Sequence, residues 1–482
     1  MLTPYLPAAS RRLSFYIGGR WLAASNHLRQ MVIDPSTEQP LGEIALGNEE
    51  DVEQAVQAAR RALPIWSASS REERLGLLQR ILKVYQRRAP ELAAVLSREM
   101  GAPLGMALHN QVTSGAAHIE VMLDVLADYC FIRRRGATEV VREAVGVVGM
   151  ITPWNWPLNQ ILCKVVPALA AGCSMVLKPS EVAPFNALLL AEVLDEAGVP
   201  AGVFNLVNGT GPTVGEALAR HPDIAMISIT GSTRAGVLVA QAASASVKRV
   251  HQELGGKSAN ILVDGVDLQQ AVAQGVRECF DNSGQSCNAP SRMLVPCQHF
   301  DAALEIAREA ALALRVGPAD VEGVDLGPVV NQAQFARIQE LIESALEEGV
   351  ELVCGGTGRP DDLAEGYFVR PTVFACREGN PRIAREEVFG PVLTLQPYDH
   401  LDEAVTLAND SPYGLAAYVQ CADPVLARQL AARLHAGNVY LNYPQWDPYA
   451  PFGGVGQSGN GREYGEYGLD DFTEIKGIVG VT

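Results

Sequence analysis

The sequence predicts an α/β protein with two lobes, and three observations support this fold class. The 482 residues are 48% hydrophobic and 19% charged, which is typical of a globular chain that is too long for a single ordinary core. From about residue 145, short apolar runs alternate with segments of helical periodicity, which predicts parallel sheets flanked by helices. A second alternating region, from 259 to about 440, predicts a second α/β lobe.

A helical lead-in is predicted before these two regions, from about Asp51 onward. From about Asp51, apolar residues recur at helical spacing, and the same spacing is found from Leu75 to Val84. We therefore expect amphipathic helices before any strong strand.

The first alternating region contains four predicted strands separated by helices. The strands fall at 145–151, 175–177, 204–207 and 224–229, and the helices at about 186–197, 213–220 and 233–243. This order is typical of βαβ units, and a dinucleotide binds at the carboxyl edge of such a parallel sheet. In the second region, helices are predicted at 268–280, 300–314 and 332–348.

A projecting hairpin is predicted at residues 132–147. Three arginines, Gly136 and a β-rich segment follow one another there, and residues 475–481 at the C-terminus are also strand-like and could pair with it. The hairpin is either a solvated surface ribbon or an edge that pairs with another subunit.

Composition and charge exclude several functional classes. The 55 acidic and 38 basic residues give a net charge of −17, which argues against nucleic acid binding. The nine cysteines contain no Cys-x-x-Cys pair and fit neither a disulfide framework nor a zinc ribbon, which predicts a reducing, cytoplasmic location. No apolar stretch reaches membrane-spanning length, and the first 21 residues lack the apolar core of a signal peptide. We therefore expect no membrane partner. The histidines form no ligand cluster, so we also expect no metal.

Cys287 and Glu253 are the candidate reactive pair. A lone cysteine is usually inert core, but Cys287 follows a polar, flexible run at 282–286 that favours an exposed turn. A thiolate that forms an acyl intermediate needs a separate base to hydrolyse it, and Glu253 precedes Cys287 by 34 positions (287 minus 253). This pair suits the oxidation of an aldehyde to an acid.

A rigid turn at residues 153–157 (Pro-Trp-Asn-Trp-Pro) ends the first predicted strand of the alternating region. The amide of Asn155 could donate to an oxyanion there, although a packed aromatic turn is the alternative.

Two glycine patterns compete as the dinucleotide site. Residues 454–459 match G-x-G-x-x-G but do not follow a predicted strand, as the mechanism requires. Residues 230–236 do follow one and lead into a helix, whose N-terminal N–H groups suit a pyrophosphate. A similar turn at 209–212 either touches the cofactor or is only a tight connection.

Lys178 and Glu181 follow the strand predicted at 175–177, at the same carboxyl edge. A cation and a carboxylate there can hold ribose hydroxyls, and a carboxylate repels a 2′-phosphate, which favours NAD over NADP. An ordinary helix-capping turn is an equal alternative.

Seven motifs in the same order and spacing resemble signatures of the aldehyde dehydrogenase superfamily. They lie at residues 153–157, 178–181, 231–236, 253–257, 284–287, 386–391 and 451–454. The resemblance covers nearly the whole chain and implies an α/β fold with a Rossmann-type cofactor lobe, an α/β catalytic lobe and a small oligomerisation β-element. The implied ranges are 1–131 and 148–254 for the cofactor lobe, 255–456 for the catalytic lobe, and 132–147 and 471–482 for the oligomerisation element, with 457–470 crossing between lobes.

The resemblance also implies roles for individual residues. Cys287 would be the nucleophile and Glu253 the general base, with Asn155 and the Cys287 N–H stabilising the oxyanion before hydride passes to the nicotinamide. Glu466 matches a second family carboxylate thought to relay protons, or is an ordinary salt-bridge partner. Cofactor contacts are implied for Trp154, Lys178, Glu181, Gly211, Gly231, Ser232, Gly236, Glu387 and Phe389.

Departures from the family pattern concern the substrate. Cys163 stands where a bulky aromatic residue is common, so the pocket differs from that of acetaldehyde oxidisers. Asp281 and Asp447 would add acidity to an apolar mouth, which we expect to be lined by Trp156, Tyr443, Trp446 and Phe452. Aromatic walls suit aliphatic or aromatic aldehydes, whereas acidity suits amino-aldehydes.

The leading hypothesis is an NAD-dependent, hydrolytic aldehyde dehydrogenase that forms a homodimer or homotetramer. A CoA-acylating relative is disfavoured because Glu253 is retained, and an NADP-dependent semialdehyde dehydrogenase is disfavoured by Glu181. A non-catalytic scaffold is a further alternative, but the three residues whose loss would support it are present.

Overall fold

The computed structural model describes residues 5–481, and two large mixed sheets with flanking helices form most of it. The first sheet has eight strands and the second has seven. Two small sheets, of three strands and of two, complete the β structure of these residues.

The first sheet has a parallel centre and antiparallel edges. In spatial order its strands are Gly459–Asn460, Arg249–Glu253, Met226–Thr230, Val147–Ile151, Ser174–Lys178, Phe204–Leu206, Ser14–Ile17 and Arg20–Ala23. The strands from Arg249–Glu253 to Phe204–Leu206 are parallel. Val147–Ile151 and Ser174–Lys178 are buried along their whole length, because helices cover both faces of the sheet. The polar turns that follow these strands therefore meet at one edge.

The second sheet is parallel except at one edge strand. In spatial order its strands are Glu351–Cys354, Thr372–Ala375, Val392–Tyr398, Arg292–Pro296, Ala259–Leu262, Ala416–Gln420 and Asn438–Leu441. Glu351–Cys354 pairs antiparallel to its neighbour. The two large sheets agree with the predicted pair of α/β lobes, and the exact lobe boundaries stay a prediction.

The helices have the following bounds. α-Helices span Ala9–Arg12, Glu49–Ser67, Arg71–Arg87, Ala89–Met100, Leu104–Met106, Thr113–Asp128, Pro157–Ala171, Phe185–Glu196, Glu216–Arg220, Thr233–Ala243, Leu268–Phe280, Phe300–Leu312, Gln332–Glu347, Arg382–Arg385, Leu401–Asn409, Pro424–Ala431 and Gly465–Asp471. π-Helical turns lie at Ala107–Val112 and Gly211–Gly215, and 3₁₀ turns at Ser244–Ser246, Asp281–Gly284, Cys297–His299 and Gly456–Ser458.

Most predicted elements are confirmed within a few residues. The helices Thr233–Ala243 and Leu268–Phe280 have the predicted bounds, and the four predicted strands of the first lobe are present. Side-chain caps explain such sharp starts, since Ser232 accepts a hydrogen bond from the N–H of Ala235 and Asp267 accepts one from that of Gln270. The 454–459 pattern forms a 3₁₀ turn and a two-residue strand, so it is not a strand-to-helix cofactor turn.

The helices predicted from about Asp51 are confirmed as Glu49–Ser67 and Arg71–Arg87, but the expectation that they come before any strand is wrong. Four strands precede Asp51, namely Ser14–Ile17 and Arg20–Ala23 in the first sheet and the pair Arg29–Asp34 with Gln39–Ala45. Three of these strands are edge or two-stranded elements with many half-exposed positions, so their sequences lack a clean apolar alternation.

The predicted hairpin and C-terminal strand are confirmed and form the three-stranded sheet. Ile132–Arg135 pairs with Thr138–Ala144, which in turn pairs antiparallel with Thr473–Val479. Within residues 5–481, the helices are all too short or too polar to cross a membrane.

Candidate active site

Cys287 lies on a loop that glycine allows to approach its neighbours closely. The loop follows three successive residues with left-handed backbone, Asn282, Ser283 and Gly284, with φ of 53°, 57° and 73°. A Cβ at Gly284 would lie 2.1 Å from the carbonyl oxygen of Gly390, and one at Gly256 would lie 2.5 Å from that of Cys287. Only glycine fits these two positions, so the motif glycines fix where the sulfur sits.

Cys287 borders two cavities. The strand-end cavity, of about 270 Å³, is lined by Trp154, Asn155, Ser232, Glu253 and Phe389 among others. The aromatic cavity, of about 660 Å³, is lined by Trp156, Tyr440, Trp446, Phe452 and Tyr464 among others. A group on Cys287 can therefore meet one molecule from each cavity.

The surroundings of Cys287 favour its neutral thiol. Burial raises the pKa of this thiol well above its usual range, and the carboxylates of Glu387, Glu253 and Glu463 raise it further. A positive charge beside the sulfur would therefore favour the attacking thiolate.

Asn155 is held close to the loop of Cys287. Its side-chain Nδ2 donates to the carbonyl of Gln285 at 3.0 Å, and its own carbonyl accepts from Gln111 and Asn282. The neighbouring Trp156 donates from Nε1 to Oγ of Ser286 at 2.8 Å. Two hydrogen bonds, one from Asn155 and one from Trp156, thereby connect the turn after Val147–Ile151 to the segment that carries Cys287.

Glu253 is the last residue of its strand and is 2% exposed. Its Oε1 lies 3.2 Å from Nε2 of His251, and within residues 5–481 no hydrogen-bond partner reaches its Oε2. Burial and the charge of Glu463 raise the pKa of Glu253 to about 8, against the opposing effect of His251 and Lys164. A carboxyl group with this pKa and a free oxygen is suited to accept a proton near neutral pH.

The expectation for Glu466 is corrected. Its side chain is 57% exposed and lies 3.9 Å from Arg133, so it faces the surface as a salt-bridge partner. The buried carboxylate near Glu253 is Glu463, which forms an ion pair with Lys164 and accepts from Sγ of Cys163. Burial opposes ionisation of Glu463, but Lys164 and His251 hold its pKa below the usual value.

Sequence alone does not distinguish these two carboxylates, which are only three positions apart. Tyr464 between them has a left-handed backbone, with φ of 71°, and Glu466 lies in the first turn of the following helix. This turn sends the two side chains in different directions.

Five of the residues predicted to contact a cofactor line the strand-end cavity. They are Trp154, Gly231, Ser232, Glu387 and Phe389. The rings of Trp154 and Phe389 meet edge to face at 5.4 Å, and Oε1 of Glu387 accepts from the N–H of Gly256 at 2.9 Å. Burial raises the pKa of Glu387 to about 7.

Lys178, Glu181 and Gly211 lie at neighbouring strand ends of the first sheet. Nζ of Lys178 is 2.7 Å from Oε2 of Glu181, and Gly211 begins the π-helical turn after Phe204–Leu206. A Cβ at Gly236, in the first turn of helix Thr233–Ala243, would lie 2.6 Å from Leu254, and its contact with a cofactor stays a prediction. Gly236 lets its helix pack against Leu254 and does not line the cavity.

Three of the four predicted substrate residues line the aromatic cavity, namely Trp156, Trp446 and Phe452. The fourth, Tyr443, does not line this cavity. Its hydroxyl accepts a hydrogen bond from Asn260 at 2.7 Å, and its ring packs against Tyr418. Sequence reasoning missed Tyr418, Tyr440 and Tyr464, which come from three separate segments and carry no common motif.

Acidic groups also line the aromatic cavity. Asp281 lies there as expected, together with Glu120 and Glu278. Asp447 does not, because it is exposed and accepts from the N–H of Tyr449 in a turn. Cys163 is buried and does not line the cavity, but it packs in one cluster with Phe452 and Tyr464, which do.

The model of the aldehyde dehydrogenase family matches residues 21–478. The chain therefore belongs to the aldehyde dehydrogenase family, which confirms the resemblance found in the sequence.

Individual relatives and solved structures agree with this assignment. The chain is 51% identical, over 97% of its length and 98% of the relative, to 3-succinoylsemialdehyde-pyridine dehydrogenase of a Pseudomonas species. It resembles the crystal structure of a mutant of aldehyde dehydrogenase C from Pseudomonas syringae with NAD⁺ and octanal, with a TM-score of 0.99, 50% identity, and coverage of 100% of this chain and 99% of that chain. An NAD⁺ complex of aldehyde dehydrogenase from Bacillus cereus gives a TM-score of 0.96 at 34% identity, over 100% and 99% of the two chains. These similarities confirm the predicted α/β fold class.

Proposed function

We propose that this aldehyde dehydrogenase oxidises an aldehyde to a carboxylic acid with NAD as hydride acceptor, through a thioester on Cys287 that water hydrolyses. The main observation in support of this proposal is that Cys287 lines both cavities. One cavity offers the end of a helix and strand-end turns, and the other offers an apolar channel to the same sulfur.

The strand-end cavity, together with the neighbouring strand ends of the first sheet, suits a dinucleotide. Gly231 and Ser232 precede the helix Thr233–Ala243, whose first N–H groups suit a pyrophosphate. A Cβ at Gly255 would lie 2.3 Å from Oε2 of Glu387, so the wall is shaped by bare backbone. When bound, NAD⁺ accepts hydride and brings a positive charge close to a thiol that otherwise stays neutral.

The residues of this chain then act in order. The thiolate of Cys287 bonds to the aldehyde carbon, and Nδ2 of Asn155 with the Cys287 N–H donates to the oxygen that becomes negative. Loss of hydride leaves a thioester. Glu253 takes a proton from a water molecule while the oxygen of that water attacks the thioester carbon. The carbon–sulfur bond then breaks, which releases the carboxylic acid and returns the thiolate of Cys287.

We propose NAD rather than NADP as the preferred cofactor. Oε2 of Glu181 is paired with Lys178 at the strand end, where it would accept from a ribose hydroxyl and repel a 2′-phosphate. The NAD⁺ complexes of two similar structures support this choice.

We propose aldehydes with a neutral apolar, aromatic or cationic chain as substrates. The aromatic side chains provide apolar walls, and Glu120, Glu278 and Asp281 would repel a substrate carboxylate. The octanal complex and the pyridine-bearing substrate named for two relatives are consistent with this class.

We also infer that the chain forms a homodimer or homotetramer through its three-stranded sheet. All four residues of the edge strand Ile132–Arg135 are exposed, and Ile475, Ile478 and Val479 on the other edge strand are exposed apolar side chains. Light scattering after gel filtration would test this by the mass of the particle in solution.

A cytoplasmic location is a further proposal. All nine cysteines are unpaired in the described chain, which suits a reducing compartment.

The first experiment mixes the protein with NAD and a panel of aliphatic, aromatic, amino- and carboxy-aldehydes in the absence of CoA. Reduction of NAD without CoA supports the hydrolytic function and excludes an obligatory CoA-acylating route. Replacing NAD with NADP tests the semialdehyde alternative, and inactivity with both cofactors would favour a non-catalytic scaffold.

A further inference from the structure

A histidine lies beside the proposed base, on the same face of the same strand. His251 and Glu253 are two positions apart in Arg249–Glu253, and alternate strand residues share a face. Nε2 of His251 is 3.2 Å from Oε1 of Glu253, while Nδ1 contacts Oδ2 of Asp471. The three side chains form a row from the buried base to Asp471, which is 23% exposed at the end of helix Gly465–Asp471.

The surrounding chain encloses His251 tightly. The imidazole is 2% exposed, and a Cβ at Gly461 would lie 2.8 Å from its Cδ2 atom. Asp471 is itself fixed, because Nη1 of Arg249 donates to its backbone carbonyl and to that of Thr473. The ring therefore has one orientation, with one nitrogen toward each carboxylate.

Charges of both signs face this row. Glu253 and Arg249 lie on the strand of His251, Asp471 lies at the end of helix Gly465–Asp471, and Glu474 on the strand that follows this helix pairs with Arg249. Glu463 and its partner Lys164 complete the set, and the charge of Glu463 lies close enough to affect Glu253. Two carboxylates in direct contact with one imidazole favour its protonated form.

The protonation states follow from these contacts. Burial opposes a charge on His251, but Asp471 and Glu253 together raise its pKa to about 9. His251 in turn lowers the pKa of Glu253, which burial and Glu463 raise. Near neutral pH, His251 is thus a positive imidazolium in contact with Asp471 and Glu253, and its removal would make Glu253 harder to ionise.

We infer that His251, supported by Asp471, is a positioning residue that favours the ionised form of the proposed base Glu253 and orients it for hydrolysis of the thioester. The inference rests on the proposed function of Glu253. It assigns His251 no contact with substrate or cofactor.

The test isolates hydrolysis from hydride transfer. An activated ester, 4-nitrophenyl acetate, transfers its acetyl group to the thiolate of Cys287 and releases 4-nitrophenolate, and water then removes the acetyl group with Glu253 as base. After excess ester is removed, acid quench and intact-protein mass would give the rate of acetyl loss between about pH 6 and 10 in wild type and in His251→Gln.

We expect the rate of acetyl loss in wild type to rise with pH as Glu253 ionises. In His251→Gln, which keeps a polar side chain and removes the charge, the midpoint should move up by about one pH unit. The rate at pH 7 should then fall about tenfold and approach that of wild type at high pH. A uniform loss of rate with an unchanged midpoint would mean a structural role only and would overturn the inference.

Two further variants keep the test decisive. Asp471→Asn leaves His251 in place but removes the carboxylate that contacts Nδ1 of His251. The midpoint should therefore move in the same direction as in His251→Gln, by a smaller amount. An unchanged midpoint in Asp471→Asn would contradict the inference even if His251→Gln fails to fold. His221→Gln is the matched control, because His221 is also buried and lies 3.0 Å from a carboxylate, that of Glu53, away from the site. Its midpoint should equal that of wild type.

Failure of the proposed function would look different. If Glu253→Gln loses its acetyl group at the wild-type rate, Glu253 is not the base and both proposals fail. If Glu253→Gln is slow but His251→Gln keeps the wild-type midpoint, only the inference about His251 fails.

Discussion

The strand-end cavity is lined by a few short segments at the ends of strands, whereas the aromatic cavity is lined by large side chains from many parts of the chain. Residues 153–155, 230–232, 253–255 and 387–389 line the first, mostly as turns at strand ends and as bare glycine. Residues from helices and loops across the chain line the second, among them Trp156, Tyr418, Trp446 and Tyr464. Segments at strand ends leave little freedom to vary without disturbing the sheet, while single side chains of the aromatic cavity can change one at a time. Cys287 borders both cavities.

Removing the sulfur shared by the two cavities should have the largest effect. We expect Cys287→Ala to lower kcat at least about ten-thousandfold, because no thioester can form. Binding of NAD, measured by calorimetry, should remain within about twofold of wild type. Cys297→Ala, which removes an exposed cysteine outside both cavities, is the control and should keep full activity. Substantial turnover by Cys287→Ala would refute the role of the sulfur.

Glu253→Gln should have the next largest effect and should act after hydride transfer. We expect kcat to fall about a thousandfold while a burst of NADH, about one per active site, survives in stopped-flow absorbance. In wild type, the rate of hydrolysis should rise with pH through about 8, because the ionised carboxylate is the active form and burial raises its pKa to about 8. A slow variant without a burst would place Glu253 in an earlier step.

A backbone change in the strand-end cavity should affect NAD alone. A Cβ at Gly255 would press on the carboxylate of Glu387, so Gly255→Ala should raise KM for NAD about tenfold with little change in KM for aldehyde. Gly105→Ala is the matched control, because the space around Gly105 is open. Equal effects on both KM values would break the proposed separation of the cavities.

A side-chain change in the aromatic cavity should have the smallest effect and the opposite pattern. Trp446 is 48% exposed and packs edge to face against Tyr464, so Trp446→Ala should raise KM for octanal about fivefold, or ~1 kcal/mol. KM for NAD and the burst amplitude should stay as in wild type. If KM for NAD rose instead, the assignment of the two cavities would be reversed.

The difference between the two cavities also explains how much of the site could be predicted from the sequence. Cys287, Glu253 and Asn155 lie in short motifs at strand ends, and buried parallel strands such as Met226–Thr230 stand out as apolar runs. The edge strands before Asp51 escaped because half-exposed residues hide their periodicity.

The aromatic cavity was only partly predicted because its members meet through tertiary packing. Trp156 lies in a motif, but Tyr418 and Tyr440 come from neighbouring strands of the second sheet and stack at 5.0 Å. The inward-facing carboxylate was misassigned because the left-handed backbone at Tyr464, a residue type that rarely adopts it, decides whether Glu463 or Glu466 is buried.

The central claim, that Cys287 carries the acyl group between the two cavities, is tested most directly by trapping that group. Glu253→Gln would be mixed with NAD and octanal, quenched in acid within one turnover, digested, and analysed by mass spectrometry. We predict an octanoyl group on the peptide that contains Cys287, in a yield that matches the NADH burst. NADH formed without any acyl group on Cys287 would contradict the account.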